Sequence, residues 1–246
     1  MAKDKKPSPT VIIDEKTKEI SIKDQKMVEM IKSINKRNSE IKTIYLANMP
    51  IKIKNMGFTI RASGEIAHKK ERFFRLIVTH KITGREMDLG SNQDIFWFWS
   101  KRINPPYLYF SKHENLSNTN LKSALNPMLM IESLNISEIK IKEIKSFKTN
   151  DNNLLIFEKR PSPTKEILDL VTIIDIPTKT IVEKYLLNNS GDKIVRTNYR
   201  QNKIFFEYYE ENISMEWDLT NMKINDIIPD KFWNLPKNNN IIDIGI

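Results

Sequence analysis

The hydrophobic period of this chain changes once, near Ile41, and stays changed through most of the remaining residues. Before that point Met27, Val28, Ile31 and Ile34 recur at the spacing of one helix face, with Asp24 placed to cap the first turn and Asn38 and Ser39 to end it. Beyond it apolar and polar residues alternate. Between Phe58 and Ile66, the side chains of Phe58, Ile60, Ala62, Gly64 and Ile66 point one way, and Thr59, Arg61, Ser63 and Glu65 the other. A strand of this kind needs one buried and one wet face. Phe74, Leu76 and Val78 continue the pattern, and Gly84 supplies the turn into Glu86 to Leu89, which makes an antiparallel meander.

Asp94 to Ser100 departs from that rule. Ile95, Trp97 and Trp99 face one way, Phe96 and Phe98 the other, so both faces are apolar and both are covered. Between Ser117 and Leu134 a helical pattern returns with Leu121, Ala124 and Leu125, and Pro127 then opens a segment bearing Met128, Leu129, Met130 and Ile131. The second half reads as strands from Ile139 to Leu219, joined as hairpins by turn sequences such as Asn188 to Asp192 and Glu210 to Asn212. About eleven strands and few helices predict an α+β chain dominated by one antiparallel sheet. Arg160 to Thr164 is the strongest candidate break, and it serves equally as a loop within one sheet, so a single domain is expected. Its limits are set at 24–236, after a leader with a short strand over 1–23 and before a tail over 237–246.

Composition removes several chemistries. With no cysteine the chain has no thiolate nucleophile, no disulfide and no Cys-ligated metal. His68, His80 and His113 are not spaced to place two ligands on one helix face. No G-x-S-x-G elbow and no Gly-rich phosphate loop is present, and Glu210 with Glu211 reads as a solvated turn rather than a general acid–base pair. An enzyme is therefore not expected, nor a cofactor. The net charge of +9 invites a nucleic-acid reading. The lysines are scattered among glutamates, however, and the aromatics alternate with further aromatics instead of Lys or Arg, so the surface reads as solvated and basic, with at most a preference for anionic lipid. No run of apolar residues is long enough to span a bilayer as a helix. From composition alone Phe96 to Trp99 is core packing, and a lined apolar cavity is the alternative.

The order of segments adds a resemblance. A capped helix is followed by Gly64-Glu65-Ile66, Lys69-Lys70, Phe73-Phe74-Arg75-Leu76, and then Gly90-Ser91-Asn92-Gln93-Asp94 entering Ile95-Phe96-Trp97-Phe98-Trp99. Met128 to Ile131 come after Pro127, a hairpin runs from Ile174 through Gly191 to Tyr199, and Pro229 to Pro236 closes the series. From about Asp24 to Pro236 this order resembles the LolA/LolB-like family of bacterial lipoprotein carriers and sorting proteins. The resemblance implies an incomplete, strongly curved antiparallel β-barrel with helices as a lid over a hydrophobic cavity. It implies binding of lipid or lipoprotein acyl chains, with Phe58, Ile60, Phe74, Leu76, Val78, Trp97, Trp99, Met128, Met130 and Ile131 as cavity or lid residues and Lys70 at the place of the family's lid latch. It also implies a monomer without nucleic acid, in contact with a membrane surface, in the periplasm or at the outer membrane. The anchor would be a lipidated cysteine upstream of Lys3. An envelope interaction protein whose interior is filled by its own side chains is the competing expectation.

Overall fold

A computed structural model of the chain describes residues 18–20, 24–55, 57–70, 72–118, 127–150, 152–161, 167–237 and 240–245. The first helix, α1 (Gln25–Glu40), starts where Asp24 accepts hydrogen bonds from the backbone N–H groups of Lys26 at 3.0 Å and Met27 at 3.3 Å. It ends as Ile41 turns back to the Asn38 carbonyl and the chain becomes extended.

Strands β1 (Lys18–Ile20), β2 (Thr43–Asn55), β3 (Phe58–Lys69), β4 (Phe73–His80), β5 (Gly84–Ser91), β6 (Ile95–Ser100) and β7 (Leu108–Lys112) precede the second helix, α2 (Pro127–Ser133). After it come β8 (Ile144–Thr149), β9 (Asn153–Pro161), β10 (Ile167–Asp175), β11 (Thr180–Leu187), β12 (Lys193–Arg200), β13 (Lys203–Tyr208), β14 (Ile213–Asp218), β15 (Lys223–Ile224) and β16 (Ile241–Asp243). All belong to one 16-stranded sheet in the order β1-β8-β9-β10-β11-β12-β13-β14-β2-β3-β4-β5-β6-β7-β16, with β15 paired to β2 off this path. Two meanders, β2 to β7 and β8 to β14, are joined by the pairing of β14 with β2. The edge strands β1 and β16 do not pair with each other among the described residues, so the sheet is curved without closing. The stretch assigned to a C-terminal tail thus contributes a strand, β16, which runs parallel to β7. The strand expected over Val11 to Ile13 and the helical positions Leu121, Ala124 and Leu125 lie outside the described residues.

Register decides which side chains share a face. Ile51, Ala62 and their neighbours pair across β2 and β3, and a bulge at Asn48, whose φ is 55°, restores the phase of Leu46 opposite Ile66. Both helices lie against the inner face. Helix α1 buries Met30, Ile31 and Ile34 against Phe147, Leu154, Ile156 and Ile174. It is also tied to the segment leading into β8, because Asn35 exchanges two 2.9 Å hydrogen bonds with the backbone of Ile139. Helix α2 buries Met130 and Ile131 in the larger cluster that fills the rest of the inner face.

Candidate functional site

That larger cluster is the candidate site. Phe74, Leu76 and Val78 of β4 stand opposite Ser91, Leu89 and Met87 of β5, and Leu89 stands opposite Phe98 of β6. From the other meander Trp217 and Met215 of β14, Ile204, Phe206 and Tyr208 of β13, and Val195 of β12 face the same interior. Met130, Ile131 and Leu134 reach this surface from above. Five residues expected from the sequence, Phe74, Leu76, Val78, Met130 and Ile131, are therefore brought together. Ile60 shares their face farther along β3, opposite Ile53. Phe58 is 78% exposed at the rim, where with Lys54, Tyr208 and Ile213 it lines a cleft of about 510 Å³. Met128 belongs to α2.

Trp97 and Trp99 are placed elsewhere, and the expectation that they line the interior is corrected. Arg75, Gly90 and Trp97 form one cross-strand row, and Ile77, Asp88 and Trp99 the next, both on the outer face. The reason is steric as well as periodic. A Cβ built on Gly90 would fall 2.0 Å from the Trp97 ring, so the indole lies flat over the one residue that leaves room for it. Its Nε1 donates to Asp88 at 3.2 Å. Asp88 also accepts Nε and Nη2 of Arg75 at 3.1 and 2.8 Å, and Arg75 in turn donates to the Phe232 carbonyl at 2.8 Å. This buried ion pair fastens the C-terminal segment to the back of the sheet. Trp99 donates to the Pro106 carbonyl at 3.1 Å.

The contacts of Lys70, the expected lid latch, are with the other helix. Lys70 donates to the Ser39 carbonyl at 2.7 Å, which ties the β3–β4 turn to the C-terminal end of α1 rather than to α2. Helix α2 is held by Lys184 of β11, whose Nζ lies 2.6 Å from Glu132 Oε1 and also donates to the Glu132 carbonyl at 3.3 Å. Next to it Ser133 Oγ stands 3.3 Å from Thr197 Oγ1. Sequence reasoning missed this group. Its one available signal was a lysine in the inward phase of β11.

No protein-family profile and no curated protein sequence matches the chain. Solved structures do. An outer membrane lipoprotein-sorting protein domain from Vibrio parahaemolyticus superposes with a TM-score of 0.58 at 9% identity, covering 84% of this chain and 95% of its own. A LolA superfamily protein from Nitrosomonas europaea gives 0.52 at 13% identity, over 83% and 97%. The fold is LolA-like. A DUF1329 family protein from Desulfovibrio piger shares it, with a TM-score of 0.55 at 8% identity over 84% and 95% of the two chains.

Within this LolA-like sheet a buried histidine is held in its neutral form. His68 faces the interior between its cross-strand neighbours Ile44 and Phe74, and its Nδ1 has no hydrogen-bond partner among the described residues. Burial pushes its pKa down to about 4, helped by the charge of Lys70 and opposed by a backbone hydrogen bond at Phe73. Folding thus favours the neutral ring. The stability this provides is full above the unfolded value near 6.5 and is lost as pH falls from there toward 4. Urea titrations across that window are expected to show a loss of about 3 kcal/mol that His68→Leu removes. An unchanged pH slope in the variant would mean that the ring is hydrated.

Proposed function

We propose that this chain binds the acyl chains of lipids or lipoproteins without enzymatic chemistry, as a carrier or holding module of the bacterial cell envelope. The observation that carries this reading is the covering of an apolar inner face by a short helix. Helix α2 spans only seven residues and rests on that face through Met130, Ile131, Leu134 and the Lys184–Glu132 ion pair. Taking its place, an acyl chain would gain about 0.8 kcal/mol for each methylene removed from water, enough to hold a lipid yet permit its release. Met130 suits such exchange, because an unbranched thioether repacks at low cost. The cleft at Phe58 supports a mouth, since Tyr208 both lines it and belongs to the buried inner cluster.

The location follows from the same reading. One structural neighbour carries the name of an outer membrane lipoprotein-sorting protein domain, which accords with a periplasmic or outer-membrane site and an anchor of the kind the sequence resemblance implies. Phe58 and Ile82, 78% and 87% exposed, stand at one end of the sheet beside the exposed Lys54 and Lys81, a combination suited to brief contact with an anionic membrane surface. The chain would act as a monomer.

Mass spectrometry of organic extracts of the purified protein, with titration of an uncharged lipophilic fluorophore, tests the proposal. Bound acyl species and saturable uptake are expected. Phe58→Ser, at an exposed position, should weaken uptake several-fold, and Trp99→Ala, on the outer face, should leave it unchanged. An interior that takes up no probe and yields no lipid would identify a self-filled interaction module instead.

A further inference from the structure

A polar row crosses the inner face among its apolar side chains. Thr172, Lys184 and Thr197 are register partners on β10, β11 and β12, so they form a single row across three neighbouring strands, and all three are buried. The row lies next to Phe206 and one pleat, roughly 7 Å, inward from the layer of Tyr208 that meets the rim cleft. Lys184 is 5% exposed and is answered by Glu132 of α2. The Thr172 hydroxyl is fully buried with no hydrogen-bond partner among the described residues, and the same holds for the hydroxyl of Tyr199, two residues along β12 on the same face.

A buried ammonium is costly unless an anion meets it. The anion that meets Lys184 belongs to the helix that must withdraw before the inner face can receive an acyl chain. Once α2 is displaced, the cation and an unused hydroxyl would face the interior together, in a setting where a charge-assisted hydrogen bond is strong. We infer that Lys184, with Thr172 and Thr197, receives the anionic oxygen headgroup of an amphiphile, a carboxylate or a phosphate monoester, and that Glu132 occupies this place while α2 is seated. The inference rests on the acyl-binding reading and adds to it the charge of the cargo and its orientation, with the headgroup inside the sheet against β11 and the tail along the apolar cluster.

The test is displacement of uncharged N-phenylnaphthylamine from the full chain at neutral pH by dodecanoate, dodecyl phosphate and dodecanol, which share a tail and differ in headgroup. Both anions should displace the probe at lower concentration than the alcohol. Lys184→Met should weaken the anions roughly tenfold to a hundredfold and leave dodecanol in place. Glu132→Gln removes the competing carboxylate while keeping a side-chain oxygen near Lys184, and in protein whose circular dichroism is unchanged it should strengthen the anions more than the alcohol. Whichever anion responds more strongly to the two variants identifies the headgroup. Equal shifts for all three ligands in both variants would overturn the headgroup site while leaving acyl binding intact. Failure of any ligand to displace or bind would instead defeat the acyl-binding reading itself.

Discussion

Asp88→Ala is expected to lower the free energy of unfolding by about 3–5 kcal/mol, read from urea denaturation. The carboxylate is 1% exposed, and every donor around it is aimed at it: Arg75 Nε and Trp97 Nε1 at Oδ1, Arg75 Nη2 and Arg85 Nη1 at Oδ2. Its removal leaves the Arg75 guanidinium buried between the rings of Trp97 and Phe232, at 5.8 and 5.3 Å from their centroids, without a counter-charge. That penalty exceeds the worth of the pair itself. Replacing both partners, Arg75→Met with Asp88→Leu, should therefore recover most of the loss, because no orphaned charge remains. Should Asp88→Ala cost less than about 1 kcal/mol, the pair would be behaving as a solvated surface bridge, and its role in holding the C-terminal segment would fail.

The second large effect is expected on the inner face. Trp217 is fully buried, its ring 4.5 Å from that of Phe206, and its cross-strand neighbours are Ile51 and Ile204. Trp217→Ala should cost about 3–5 kcal/mol through lost contacts and the cavity left behind. In a chain of this size that corresponds to a fall in Tm of roughly 6 to 20 °C. Trp217→Phe should cost much less than the alanine variant. The indole N–H has no hydrogen-bond partner among the described residues, so the phenyl ring removes an unsatisfied donor, worth about 1–3 kcal/mol, while keeping most of the apolar volume. Equal losses from the two variants would show that the N–H is satisfied by water. The alanine variant also bears on function, since added space beside Phe206 should raise the uptake of a neutral acyl probe if the inner face admits one.

Much of the scaffold was legible in the residues. The helix over 25–40 follows from its cap and apolar spacing, as the alternation of Phe58 to Ile66 and Phe74 to Val78 follows from period 2. The hairpins through Gly191 and Asn212 are where turn chemistry placed them; both residues adopt positive φ. The outward direction of Trp97 was not legible. In Ile95 to Trp99 both phases are apolar, so hydrophobicity cannot say which one is inside. Pairing with β5 decides it, because Phe98 meets Leu89 while Trp97 meets Gly90, and Gly90 has no side chain to displace the indole.

The ion pair on α2 shows the same division. A lysine in the inward phase of β11 is written in the sequence, but its partner Glu132 lies 52 residues away, on the helix between the two meanders. Lys70, beside Lys69 in the basic turn, meets the end of α1 instead. The alternation, the turns, the first helix cap and the absence of thiol chemistry can all be read from the residues in order, since each depends only on near neighbours or on composition. Which face is interior, which cation holds α2 and which polar groups remain buried were settled by the three-dimensional arrangement, because those depend on strand register and on pairs of charges that only the curvature of the sheet brings within hydrogen-bonding distance.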